Sequence, residues 1–185
     1  MQDFQQQEEE NAEEFTVGKA IRKAILMTFL VLTITFSVPM LWFIPAFNSH
    51  IKHSKLSGAN ANAATISKTA NAALYDMDEN EYFIGGSHVL CSEKKRNITD
   101  GTLNEDIFYE YMDKYFSEIN FRWFVVIEEG KATYSAAQYA SQKLTGSYPY
   151  RAVLDRGAAF YDGTYKSKKA DLDDLYKYVH DNLNK

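Results

Sequence analysis

The chain has 185 residues, a formal net charge of −5 and a single cysteine, Cys91. The acidic balance and the lack of a dense Lys/Arg stripe exclude a nucleic-acid footprint. One cysteine excludes both an intramolecular disulfide and a cysteine-based zinc cluster. Aromatic residues make up 15% of the chain, which favours a folded domain with a core over a disordered stalk.

The N-terminal tail is acidic. Residues 1–18 are rich in Gln and Glu and poor in apolar side chains, a composition that predicts disorder or weak helicity. Lys19, Arg22 and Lys23 follow directly. We therefore predict an acidic, disordered cytoplasmic tail over residues 1–23.

Residues 24–47 form an apolar run without Asp, Glu, Lys, Arg or His. As a helix, this run rises ~36 Å, which is enough to cross a hydrocarbon core of ~30 Å. The short tail before it and the larger part after it favour a signal anchor in the plasma membrane, with the N-terminus cytoplasmic and the C-terminal domain outside. A cleaved signal peptide is the alternative, although the run is longer than an ordinary apolar h-region.

Residues 48–75 predict an extension of this helix beyond the membrane, with a kink at Pro45 where the helix leaves the bilayer. Small apolar residues recur here at alternating spacings of four and three: Ala59, Ala63, Ile66, Ala70 and Ala73. This is a narrow helical stripe that suits close packing on a sheet. His50 and His53 near its start read either as a metal pair or as part of a solvated basic collar.

Residues 76–185 predict an extracytoplasmic domain that contains both strands and helices. A short strand is expected at Ser87–Cys91, and a helix is expected after the capping-box pattern from Thr102 to Glu105. The apolar face of that helix is Leu103, Ile107, Phe108, Tyr111, Met112, Tyr115, Phe116 and Ile119. Residues 121–128 and 131–137 predict a β-hairpin with its turn at Glu129-Gly130.

The last third of the chain predicts shorter elements. Residues 141–149 read as a loop, residues 150–154 and 158–161 as short strands, and Asp171 as the N-cap of a final helix. The apolar face of that helix is Leu172, Leu175, Tyr176, Val179 and Leu183. The predicted fold is α+β, with a long N-terminal transmembrane helix that continues into an amphipathic helix packed on a small antiparallel sheet.

Catalytic and cofactor motifs are missing from the sequence, which contains no P-loop, dinucleotide-binding, zinc-protease or serine-hydrolase signature. His88 and Cys91 make a conceivable nucleophile pair, and Cys91 reads otherwise as a buried apolar residue or as an intermolecular or reactive thiol. Asp171, Asp173 and Asp174 resemble a calcium cluster but lack the Gly and distal Glu of such a loop. We predict no catalytic, cofactor-binding or metal residues and no enzymatic activity.

The apolar run ends in Ile44-Pro45-Ala46-Phe47 and continues into the small-residue helix, and a hairpin follows at residues 121–137. This arrangement resembles the type IV pilin and pseudopilin family of bacteria. The resemblance implies an apolar helix that leads into an amphipathic helix packed on an antiparallel sheet. Lys23-Ala24 and Thr28 stand where the family has its processing site and its glutamate, so neither cleavage nor the role of that glutamate is carried over.

These observations predict a single-pass, pilin-like structural or interaction protein of the bacterial cell envelope, such as a filament or secretion-system component. Its expected partners are membrane lipid and proteins or further copies that pack against the N-terminal helix, and nucleic acid is not expected. The alternative is a membrane-anchored extracytoplasmic ligand-binding or sensory domain without catalysis.

Overall fold

The computed structural model of the protein describes residues 2–116, 121–139 and 144–183. The chain divides into two compact units, Met1–His50 and Ile51–Lys185. The first helix, α1, runs over Gln2–Glu79 and contributes residues to both units.

The first unit is helical from Gln2 onward, where the composition of residues 1–18 predicts disorder or weak helicity. Gln and Glu have high helix propensity, and the tail contains no proline and no glycine before Gly18. Residues 24–47 are helical throughout, as the apolar run predicts. Pro45 lies within the first unit, and a kink at this residue stays a prediction.

The second unit contains the end of α1, a four-stranded sheet and two further helices. The strands are antiparallel and lie side by side in the order in which they occur along the chain. This confirms the predicted α+β class with an antiparallel sheet. The elements after α1 are β1 (Ser87–Cys91), α2 (Glu105–Tyr115), β2 (Phe121–Glu128), β3 (Lys131–Tyr139), β4 (Thr145–Tyr148) and α3 (Leu172–Leu183).

Strands β2 and β3 form the predicted hairpin at the centre of the sheet. Every residue of β2 from Trp123 to Ile127 is buried, as expected of a strand that is paired on both edges and covered on both faces. Glu129 and Gly130 have φ angles of 49° and 74°, the positive values that a tight hairpin turn requires. The predicted strand Ser87–Cys91 is also confirmed, at one edge of the sheet.

Successive residues of β2 contribute to two hydrophobic clusters, because side chains alternate between the faces of a sheet. Trp123, Val125 and Ile127 join α1 and α2 in one cluster. Phe124 and Val126 join α3 and the segment before it in the other. The sheet is therefore covered on both faces.

The small-residue stripe of α1 is buried as predicted, and its helix ends at Glu79 rather than near residue 74. The hydroxyl of Ser135 in β3 donates to the carbonyl of Ala63 over 2.7 Å. The backbone N–H of Ala132 donates to the Asn71 side chain over 3.0 Å. Small residues allow this approach, since larger side chains would hold the helix off the strands.

The predicted cap of α2 was placed on the wrong residue. Asn104 is the N-cap, and its side chain accepts from the N–H of Ile107. The hydroxyl of Thr102 donates instead to the carbonyl of Gly85, over 2.7 Å. Asn and Thr are both good caps, so the capping-box spacing could not distinguish them. Ile119, assigned to the apolar face of this helix, lies outside the described residues.

The strand assignments after residue 140 were wrong. Strand β4 lies within the predicted loop 141–149, and residues 150–154 and 158–161 form no strand. Val153 and Gly157 make one isolated bridge. The side chain of Asn60 in α1 bonds to the backbone of Ser147 in β4 and to the backbone of Ala152 in the segment after β4. The segment after β4 is therefore held by contacts with the helix and not by strand pairing.

Candidate functional site

The apolar part of the first unit is the strongest functional feature of the described residues. The window Lys19–Ser37 spans 19 residues, has a mean hydropathy of 1.6 and buries none of its surface within the protein. By length and composition, a helix of this kind can cross a membrane.

The large apolar side chains of this helix lie fully outside any core. Phe29 is 72% exposed, Phe36 is 71% exposed and Phe43 is 72% exposed. Moving one such side chain from water into an apolar environment is favourable by roughly 1.5–3 kcal/mol. A surface so rich in large apolar groups needs lipid or another apolar helix around it.

The threonine side chains of the apolar helix are bonded within it. The hydroxyls of Thr28, Thr33 and Thr35 each donate to the carbonyl four residues earlier, over 2.9, 2.8 and 2.7 Å. A hydroxyl bonded in this way does not need water or a partner helix. The three threonines are therefore compatible with a hydrocarbon environment.

His88 and Cys91 do not form a nucleophile pair. The Cys91 thiol belongs to the cluster on the α3 side of the sheet. The His88 ring lies on the other face, where its Nε2 bonds the carbonyl of Gly85 over 2.6 Å and its Nδ1 is 3.7 Å from a carboxylate oxygen of Asp100. Burial raises the pKa of the Cys91 thiol to about 12, so it stays protonated and a poor nucleophile at neutral pH.

The acidic residues at the start of α3 serve the fold. Asp171 is the N-cap as predicted, since one of its carboxylate oxygens accepts from the N–H groups of Asp173 and Asp174, both over 3.0 Å. The carboxylate of Asp173 accepts from Arg122 over 2.9 Å and from Arg96 over 2.5 Å. The bonds from Arg122 and Arg96 lower the pKa of Asp173, so this carboxylate is ionised and paired.

The candidate metal ligands have no third ligand beside them among the described residues. His50 and His53 are exposed positions of α1. Across the described ranges, no group of three or more His, Cys, Asp or Glu side chains is placed to hold an ion. The solvated basic collar is the interpretation that these exposures favour.

The structure also forms a cleft that the sequence did not predict. It is open to solvent, has a volume of about 400 Å³ and lies between two loops that precede α3. Of its lining residues, only Tyr165 is half-buried. Three of its six lining residues are positively charged and one is negatively charged. The six residues are Asp155, Arg156, Tyr165, Lys166, Ser167 and Lys168. Lys166, Lys168 and Lys169 are a visible basic run in the sequence, but nothing in the sequence brings them next to Arg156.

Comparison of the chain with protein-family models, with curated proteins and with solved structures gives no match. The resemblance to pilins therefore stays a prediction from the residues. Two structural features point to function: the exposed apolar helix of the first unit and the basic cleft of the second.

Proposed function

We propose that this chain is a single-pass, membrane-anchored, pilin-like structural or interaction protein that displays the unit Ile51–Lys185 outside the bacterial cell. The observation that carries the proposal is the apolar helix Lys19–Ser37, none of which is buried within the protein. The displayed unit has its own sheet and a hydrophobic cluster on each face of that sheet. It does not need the apolar helix to complete its core.

Lipid is the first partner of the apolar helix. Its large side chains supply the driving force for insertion, and its threonine hydroxyls are already bonded to the backbone. Helices in lipid associate through close van der Waals packing. The same surface is therefore proposed to bind further copies of the chain or the membrane helices of partner proteins.

The pilin-like part of the proposal is supported by the helix–sheet contact in the second unit. A stripe of small residues on α1 is buried, and it approaches an antiparallel sheet closely enough for Ser135 to bond the carbonyl of Ala63. The step Ile44-Pro45-Ala46-Phe47 supports the same relationship. Lys23, Ala24 and Thr28 favour a pilin-like protein that stays unprocessed in the membrane.

The proposed orientation keeps the acidic tail in the cytoplasm. Lys19, Arg22 and Lys23 precede the apolar run, whereas Lys52 and Lys55 follow it. Positive residues close to a membrane helix favour the cytoplasmic side, and the larger domain is then placed outside.

Extraction of membranes at alkaline pH tests the anchoring. The wild-type chain should stay in the membrane pellet and be released only by detergent. Leu30→Arg places a charge near the middle of the apolar helix, at a cost of roughly 2.5–3.5 kcal/mol, and should increase the extracted fraction. Leu30→Ala is the matched control and should stay in the pellet. Complete extraction of the wild-type chain would contradict the proposal.

Co-expression with a prepilin peptidase tests the pilin-like part separately. We expect a full-length chain, because Lys23-Ala24 does not match the processing site. A size shift or the appearance of filaments would show that the chain behaves as an ordinary pilin rather than as an unprocessed relative.

The second candidate function is a membrane-anchored ligand-binding or sensory domain, and the basic cleft favours it. A cleft of about 400 Å³ is within the size range of small-molecule sites. A ligand that binds the folded state raises the melting temperature, so a flat response to a broad ligand screen would count against this function.

A further inference from the structure

The basic cleft is built by two loops whose mutual position is fixed. In the first loop, Val153 and Gly157 exchange backbone hydrogen bonds of 2.8 and 2.7 Å, and this turn presents Arg156. In the second loop, the hydroxyl of Tyr165 donates to the carbonyl of Arg151 over 2.7 Å. That bond ties the second loop back to the segment that leads into the first.

Two of the cations in the cleft are held by aromatic rings. The Arg156 guanidinium lies 5.7 Å from the centre of the Tyr165 ring. The Lys166 ammonium lies 3.7 Å from the centre of the Tyr178 ring and 5.5 Å from that of Phe160. Cation–π contacts orient a positive group without neutralising its charge. Arg156 therefore keeps its full charge for a ligand, whereas Lys166 is also attracted by the nearby carboxylate of Asp162, which the Tyr178 hydroxyl bonds.

The cations of the cleft differ in their pairing from the basic residues around β1 and α2. Lys94, Arg96, Lys114 and Arg122 each form an ion pair with a carboxylate. Within the described part of the chain, no carboxylate lies within ion-pair distance of Arg156, Lys166 or Lys168. These three cations line one cleft of a chain whose net charge is −5.

Ser167 adds a neutral donor between the two lysines. Its oxygen accepts from the backbone N–H of Lys169 over 3.2 Å, which leaves the hydroxyl hydrogen able to turn toward a ligand. The donors of the cleft are thus one guanidinium, two ammonium groups and one hydroxyl. This set matches an anion with more than one negative charge and several acceptor oxygens.

We propose that the cleft binds a phosphate group, with Arg156, Lys166 and Lys168 as charged donors and the Ser167 hydroxyl as a neutral one. Phosphate offers the bidentate geometry that the guanidinium prefers and enough charge for the two lysines. Asp155, the acidic member of the wall, repels anions, and the three cations of the wall outnumber it. The site lies within the second unit and is independent of the proposed anchoring.

Titration of the isotope-labelled full chain in a neutral detergent with inorganic pyrophosphate, at low ionic strength, tests the site by NMR. We expect saturable shifts of the backbone amides between Arg156 and Lys168, weakened by added salt. The double variant Arg156→Gln/Lys168→Gln should bind about tenfold more weakly, since it loses two charge-assisted contacts.

The matched control is Lys131→Gln/Lys177→Gln, which removes the same charge from exposed positions outside the cleft. It should bind as tightly as the wild type. Equal weakening in both double variants would show only general charge attraction and would overturn the proposal, as would shifts that do not saturate. Arg156→Lys keeps the positive charge at this position and should leave the fold unchanged. If this variant binds pyrophosphate more weakly while the amide signals outside the cleft are unchanged, the planar guanidinium of Arg156 takes part in binding.

The source of the phosphate is distinguished by repeating the spectrum in lipid nanodiscs without pyrophosphate. Shifts at the cleft in phosphatidylglycerol discs, absent from phosphatidylcholine discs, would assign the group to a lipid headgroup. Unshifted signals in both discs would assign it to a soluble or polymer-borne phosphate. Either result supports the phosphate site, provided that the pyrophosphate titration has succeeded.

Discussion

The hydroxyl of Ser135 in β3 donates a 2.7 Å hydrogen bond to the carbonyl of Ala63 in α1, and both residues are fully buried. A side chain of the sheet thus bonds directly to the backbone of the helix. This contact is possible because residue 63 is an alanine on the small-residue stripe. It links the later part of α1 to the centre of the sheet.

Ser135→Ala should lower the free energy of unfolding by about 1 kcal/mol, because a buried carbonyl loses one of its donors. Chemical denaturation of the full chain in detergent would measure the change. Ser87→Ala, at the exposed start of β1, is the control and should stay within ~0.5 kcal/mol of the wild type. Equal stability of the Ser135 variant and the wild type would show that the bond contributes nothing.

Two glycines should respond in opposite directions to alanine. A Cβ atom at Gly146 would lie 2.1 Å from the backbone carbon of Ala59, whereas a Cβ at Gly58 meets nothing within 4 Å. Gly146→Ala should therefore separate β4 from α1 and lower the melting temperature strongly. Gly58→Ala should raise stability by roughly 0.5–1 kcal/mol, since it removes backbone freedom from a helix interior. Similar effects of the two substitutions would contradict the close approach of strand and helix.

Asp162 should stabilise the fold only while it is ionised. Hydrogen bonds from Thr164 and from Tyr178 lower its pKa to about 2, below the ordinary value of ~3.9. Its contribution is therefore fully present above about pH 4 and is lost as the pH falls toward 2. Asp162 is exposed, so solvent screening limits the effect to less than ~1 kcal/mol.

Denaturation of Asp162→Asn and wild type at several pH values measures that contribution. The two proteins should differ at neutral pH and converge near pH 2, whereas Asp113→Asn, at an exposed position of α2, should follow the wild type throughout. A difference that persists unchanged at pH 2 would show that the ionised carboxylate is not responsible.

Cys91 should resist thiol reagents in the folded protein. It is 4% exposed, and its pKa is raised to about 12 by burial, so little thiolate exists at pH 8. A colorimetric disulfide reagent should react slowly with the native chain and rapidly once denaturant is added. The variant Lys177→Cys, at an exposed position of α3, should react at once. Rapid reaction of native Cys91 would show that the sheet face it occupies opens readily.

Elements with a clear local pattern could be predicted from the sequence. The stripe on α1 repeats at helical spacing, the hairpin has an apolar strand beside its turn residues, and Asp171 is a strong cap. Each signal involves residues that are close in the chain. The class of fold and the apolar helix follow from these signals alone.

The features that sequence could not predict depend on distant contacts. Strand β4 contains Gly146, a poor strand former, and it is positioned by the backbone of Ala59 in α1. The segment after β4 is held by Asn60, which lies 92 residues before Ala152. The basic cleft requires two loops to meet, so no single stretch of sequence carries its pattern.

The central claim is that the apolar helix spans the membrane with the displayed domain outside. Cysteine labelling in intact Gram-positive cells tests it most directly. Cys91→Ala removes the native thiol, and single cysteines are then introduced as Lys177→Cys in α3 or Gln7→Cys in the tail. A membrane-impermeant maleimide should label the Lys177→Cys protein in intact cells and the Gln7→Cys protein only after permeabilisation. Protection of both proteins until permeabilisation, or labelling of the tail alone, would contradict the claim.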